Sequence, residues 1–292
     1  MWRFFKLLRL AFWRALEHDQ FAVAKAAAYS AIITLFPAVA VVAAILAASN
    51  TTVAVVTEVS YALGRILPAN TSEALRGYFV GNRSAQVSVL IPAFMGTLWT
   101  ASGVMISWME GFRRAYQMPK IWGMVKERLI AFLMVLLAGL PMTFASFLVA
   151  FGNQIETWMI FHSQRSMGPY ILGMWTAVRW MISTVTSIAV IALIYHHGLP
   201  RTQPWHRVLP GSVLATVLWF SATIGFGWYL SHYAHYDVVY GSVGTAIALL
   251  IWLYIISLVI LVGAEFNAIR APRFLFGAHS QLKAPAAKGE AR

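Results

Sequence analysis

The chain has 292 residues, 60% of them hydrophobic and only 11% charged, well under the roughly 25% charged residues of an ordinary soluble domain. It has no cysteine, which excludes disulfides, thiolate metal sites and cysteine nucleophiles. A formal net charge of +12 would point to nucleic acid in a soluble protein, but in a membrane protein lysine and arginine collect on the cytoplasmic side, and no nucleic-acid partner is expected.

Residues 1–20 open with WRFFKLLRLAFWRAL, in which Arg3, Lys6, Arg9 and Arg14 alternate with Phe4, Leu7, Leu8, Ala11, Phe12 and Ala15. That spacing predicts a basic amphipathic helix lying on the anionic inner leaflet. The stretch does not read as a secretory signal, because the continuous apolar core begins only near residue 26. A first span is predicted over residues 21–48 with Pro37 inside it, a bend that neighbouring helices tolerate in a bundle. Val55, Val56, Val59, Leu63, Ile66 and Leu67 then recur on one face, which predicts a short external amphipathic helix ending at Pro68. Four more spans are predicted over residues 85–108, 129–151, 170–195 and 208–230.

The sixth span, 238–268, has no charged residue between Asp237 and Glu265, and about 20 mainly apolar residues suffice to cross a bilayer. Connections expected inside carry Arg3, Lys6, Arg9, Arg14 and Lys25, then Arg113, Arg114, Lys120, Lys126 and Arg128, then Arg201 and Arg207, and a tail with Arg270, Arg273, Lys283, Lys288 and Arg292. Those expected outside carry Arg65, Arg76 and Arg83, then Arg165, then neither Lys nor Arg between His232 and Tyr240. The fold class is therefore an all-α polytopic bundle of six transmembrane helices spanning residues 21–272, with both termini cytoplasmic. Residues 273–292, rich in Ala, Pro and Lys, read as a disordered cytoplasmic tail.

Several blocks carry a family resemblance. Lys25-Ala26-Ala27-Ala28-Tyr29 leading into Thr34-Leu35-Phe36-Pro37, Leu98-Trp99-Thr100-Ala101-Ser102-Gly103 followed by Gly111-Phe112-Arg113-Arg114-Ala115-Tyr116, and Leu209-Pro210-Gly211 recur in order. Tyr240-Gly241-Ser242-Val243-Gly244, Leu250-Ile251-Trp252-Leu253-Tyr254 and Gly263-Ala264-Glu265-Phe266-Asn267-Ala268 close the series. From about residue 15 to 272 the chain resembles the YihY/BrkB family of bacterial inner-membrane proteins. The resemblance implies six spans with both termini inside, and it implies a carrier of lipid or lipopolysaccharide-related cargo; an older label of the family as ribonuclease BN is a misassignment. Many members have a second tyrosine where this chain has Ser30.

Polar residues at membrane depth are costly and mark candidate function. Thr176, Arg179, Ser183 and Ser187 fall on one helical face of span four, where Arg179 is either a structural ion-pair partner or a ligand for an anionic head group. In span two, Gly96, Thr100, Gly103, Ser107, Glu110 and Arg114 form a stripe at steps of four and three; its small residues suit helix packing, as do Gly241, Gly244 and Gly263 in span six. Glu110 is expected either to pair with Arg113 or Arg114 or to face a cavity and answer Lys25 or Arg179. Lys25 and Glu265 lie near the same ends of spans one and six, so a pair between them reads either as an ordinary interfacial contact or as a gate opened when cargo or a proton competes for Glu265.

His232, His235 and Asp237 have spacing that a metal site would use, but Tyr229, Tyr233, Tyr236 and Tyr240 make that turn an aromatic belt, and no metal is expected. His196, His197 and His206, beside Arg201 and Arg207, suit contact with lipid phosphate. The ten Asp and Glu form no paired motif of the kind a nuclease needs, and there is no GxxxxGK loop, so neither an enzyme nor a cofactor is expected. Two readings remain: an inner-membrane carrier of an anionic lipid or amphiphile, with membrane lipids and their anionic head groups as partners, or a non-transporting scaffold for an envelope protein complex. The oligomeric state is not legible in the sequence.

Overall fold

The computed structural model describes residues 2–48, 83–162, 168–233 and 236–271, and all of them but the short connections are helical. Helix α1 spans Trp2–Glu17, α2 Gln20–Ala48, α3 Arg83–Ala115, α4 Met124–His162, α5 Gly168–His197, α6 Trp205–Tyr233 and α7 Tyr236–Arg270. Six of them, α2 to α7, contain runs long and apolar enough to cross a membrane, as the uncharged stretches predict. The predicted external helix before Pro68 and the tail from residue 273 lie outside the described residues. Pro37, Pro92, Pro141 and Pro210 all sit inside helices, where buried neighbours can re-satisfy the freed carbonyls.

Successive helices from α2 to α7 lie side by side, and α7 returns to pack against α2 and α3 as well as α6. The N-terminus of α2 and the C-terminus of α7 therefore meet at one end of the bundle, as an even number of spans requires. That end also holds the α3–α4 and α5–α6 connections with Arg113, Arg114, Lys120 and Arg207, and is called the basic end below.

Burial is graded along α5, α6 and α7. In α7 every residue from Ile260 to Ala268 is buried, whereas none of the described side chains from 246 to 256 is. In α5 burial begins at Ser187, and in α6 it stops at Thr216. One hydrophobic core at the basic end joins Met109 and Phe112 of α3, Met134 of α4, Ile194 and Tyr195 of α5, Val208 of α6 and Leu261 of α7. Alanines Ala24, Ala131, Ala215 and Ala264 fill its narrow places, as small residues do where membrane helices approach closely.

Helix α1 lies against this end. Ala11 and Ala15 are wholly buried against Leu214, Val262 and Phe266, while Trp2, Phe5 and Trp13 stay exposed, the two-faced pattern of an interfacial helix. It is joined to α2 by a tight turn in which Asp19 takes a left-handed φ of 56°, a conformation that aspartate tolerates better than most residues.

Candidate functional site

That turn feeds side chains into three neighbouring helices at the basic end. Gln20 is fully buried and its Nε2 donates both to the Gly111 carbonyl of α3 at 2.9 Å and to Glu265 Oε1 of α7 at 2.8 Å. His18 Nδ1 lies 2.8 Å from the same Glu265 oxygen. Glu265 is 0% exposed, so its carboxyl group is removed from solvent and held by these two groups. Its other oxygen, Oε2, and Gln20 Oε1 accept no hydrogen bond among the described residues, leaving spare acceptors at the junction. A Cβ on Gly111 would run into the Leu261 side chain and sit 2.7 Å from Gln20 Oε1, so a larger residue there displaces the junction.

Beside the junction lies a charged network. Arg113 is buried and bridges two carboxylates, one terminal nitrogen donating to Glu127 and the other to Glu110, a use of the planar guanidinium that the single ammonium of lysine does not reproduce. Arg114 reaches Glu110 at 3.1 Å and Asp19 at 3.3 Å, and Lys120 reaches Glu127 at 2.9 Å. Glu110, Arg113, Arg114, Lys120 and Glu127 line a cavity of about 340 Å3 between α2, α3 and α4, with Val23, Ala26 and Ile106 on its apolar side. Next to it, burial and the charge of Glu265 raise the Tyr116 hydroxyl above its ordinary range, with Arg207 opposing, so the phenol stays neutral.

A second polar clamp secures α6. Pro210 has no N–H to give, and around it Asn267 of α7 accepts from the Gly211 amide at 2.7 Å and donates to the Val208 carbonyl at 2.9 Å. Tyr195 of α5 donates to the Ile260 carbonyl at 2.6 Å. The Leu209-Pro210-Gly211 block and the Gly263-to-Ala268 block thus touch one another.

The sequence-derived candidates fall into place unequally. Glu110 pairs with both Arg113 and Arg114 and also lines the cavity. Lys25 is exposed and Glu265 is taken by His18 and Gln20, so the expected Lys25–Glu265 pair is not formed: α2 presents Lys25 outward, one turn beyond the junction. Thr176, Arg179 and Ser183 are partly buried and Ser187 is buried in α5. Arg179 precedes Tyr195 by 16 positions, roughly 24 Å along the helix, and does not line this cavity. The hydroxyls of Thr100, Ser107 and Ser187 bond back to carbonyls of their own helices, a use that suits packing faces.

Gly103 faces Ser30, Gly96 faces Pro37, and Gly263 faces Tyr195, Gly211 and Ala215; Gly241 and Gly244 lie near the start of α7. His196 bonds the Gln203 carbonyl and stacks on Trp205, which fixes the α5–α6 connection, and His206 is exposed. His232 stacks on Trp228, while His235 lies outside the described residues. His18, Gln20, Glu127 and Asn267 escaped sequence reasoning. Only Glu127, an acid at the first turn of an apolar run, gave a usable signal.

The chain matches the family model described as Virulence factor BrkB over residues 11–289. It is 26% identical over 197 residues to the "Putative ribonuclease-like protein YfkH" of Bacillus subtilis, covering 68% of this chain and 70% of that one. It is 26% identical to a "UPF0761 membrane protein" of Pseudoalteromonas atlantica, covering 70% of this chain and 66% of that one. It is 25% identical over 275 residues to "UPF0761 membrane protein Smlt0865" of Stenotrophomonas maltophilia, covering 90% of this chain but 60% of that one. The chain thus spans less than two thirds of the length of the last two. No solved structure matches.

Proposed function

Because this chain belongs to the virulence factor BrkB family and is a multi-pass bacterial membrane protein, we propose that it carries an anionic lipid or similar amphiphile across the cytoplasmic membrane, with the basic end at the cytoplasmic face. The observation that carries this reading is the charged cavity between α2, α3 and α4. Its lining holds three cations, Arg113, Arg114 and Lys120, against two carboxylates, Glu110 and Glu127, and an anionic head group entering there exchanges with Glu110 for Arg114 and with Glu127 for Lys120. Arg179, with Thr176 and Ser183 on its face of α5, supplies a fourth cation farther along the path.

The gate in this scheme is the Glu265 junction, with His18 and Gln20 in place of Lys25. A donor on the cargo, or a proton, that takes Glu265 loosens α7 from the α1–α2 turn. Small residues such as Gly103 against Ser30 permit α2 and α3 to slide. The chain supplies no catalytic chemistry in this reading, and purified protein is expected to leave RNA intact.

The test is reconstitution in vesicles with a fluorescent phosphatidylglycerol. The wild-type chain should move the lipid between leaflets, and Arg179→Gln and the double change Arg114→Gln with Lys120→Gln should slow that movement at normal abundance. Movement no faster than in protein-free vesicles overturns the carrier reading. Variants that lose only folding or the recovery of partner proteins favour the scaffold.

A further inference from the structure

The structure holds a second cavity, of about 610 Å3, on another side of the bundle, where α1 crosses α6 and α7. It shares no lining residue with the charged one. Its origin lies in the side-chain sizes of α1. Ala11 and Ala15 bring that helix close to Leu214 and Val262, whereas Phe5, Leu8 and Phe12 hold it off and leave a groove walled on the other side by Leu218 and Val259. The volume falls within the roughly 300–1,000 Å3 of sites that take small molecules.

The groove has one charged lining residue, Arg9. Four positions after Phe5 and three before Phe12, it shares a helical face with the apolar walls. Among the described residues no carboxylate pairs with it. An apolar trench with an uncompensated guanidinium at its edge matches a ligand that is a hydrocarbon chain with an anion at one end. Arginine is built for this, its stem lying on apolar surface while its head reaches the polar layer. A polar peptide would leave its backbone groups unsatisfied against the phenylalanine and leucine walls.

We propose that this groove is a binding site for an acyl chain of an anionic phospholipid, whose phosphate is held by Arg9 and which fastens α1 to α6 and α7. The proposal stands whether or not the protein is a carrier, since it uses neither the charged cavity nor Arg179.

Native mass spectrometry of the purified full chain tests it, with phosphatidylglycerol and phosphatidylcholine of matched acyl chains as probes. One phosphatidylglycerol should be retained in preference to phosphatidylcholine. Arg9→Gln, at an exposed position, should lower its retention about fivefold while leaving phosphatidylcholine unchanged, as about 1 kcal/mol per basic residue near anionic lipid implies. Leu218→Trp, which fills the groove, should lower it as well. Equal retention of the two lipids, or an Arg9→Gln variant that keeps phosphatidylglycerol as well as the wild type does, overturns the proposal. So does a dimer that Leu218→Trp dissociates, because a second copy would then occupy the groove.

Discussion

At the scale of single residues, the energetic weight sits on groups that cannot be desolvated alone. Arg113 and Glu127 have side chains 5% and 4% exposed, and removing one partner of a buried pair costs about 3–5 kcal/mol. Glu127→Gln should therefore destabilise the protein by about 3 kcal/mol, at the lower end of that range because Glu110 remains to Arg113. Replacing both buried partners with apolar residues of like size, Arg113→Met with Glu127→Leu, should recover much of the loss. Denaturation midpoints of the purified protein check both expectations, and an unchanged midpoint for Glu127→Gln would contradict them. Asn267→Ala makes a parallel case: it removes the side-chain acceptor of the buried Gly211 amide, while the Val208 carbonyl keeps the Ser212 hydroxyl, and it should cost about 1–3 kcal/mol by the same measurement.

At the scale of helices, close approach decides which glycines matter. A Cβ on Gly263 would stand 2.8 Å from the Gly211 carbonyl oxygen and 2.9 Å from the Ala215 Cβ, neither of which can swing away. A Cβ on Gly103 would meet only the Ser30 side chain, at 3.1 Å or more. Gly263→Ala should therefore lower the yield of folded protein sharply and Gly103→Ala little, as size-exclusion profiles of membrane extracts will register; the reverse order would refute the packing assigned to α6 and α7. The helices themselves were legible in the sequence, because length and apolarity alone govern whether a segment spans. One of the two arrangements open to Glu110, pairing with Arg113 or Arg114, was legible too, because these sit three and four positions on along one helix. Partners supplied by other helices were not: periodicity tells which face of α7 carries Glu265 but not that His18 and Gln20, in a turn set by the left-handed Asp19, will meet it before Lys25 does.

At the scale of the whole molecule, a chain without cysteine lets sidedness be read without background. Cysteines placed singly at the exposed positions Glu17, Gln117 and Arg201 should all react with an impermeant maleimide from the cytoplasmic side and none from outside; a split pattern would contradict the shared basic end. The graded burial then carries a consequence for how such a molecule moves. Like a hand fan, α5, α6 and α7 are riveted at one edge, where α7 is enclosed from Ile260 to Ala268, and their described side chains are less enclosed farther along. In the carrier reading proposed above, entry from the less enclosed edge asks only that lipid-facing surfaces part, whereas entry at the rivet asks that ion pairs exchange partners, so the two routes obey different chemistry, the first sensitive to membrane tension and thickness and the second to salt.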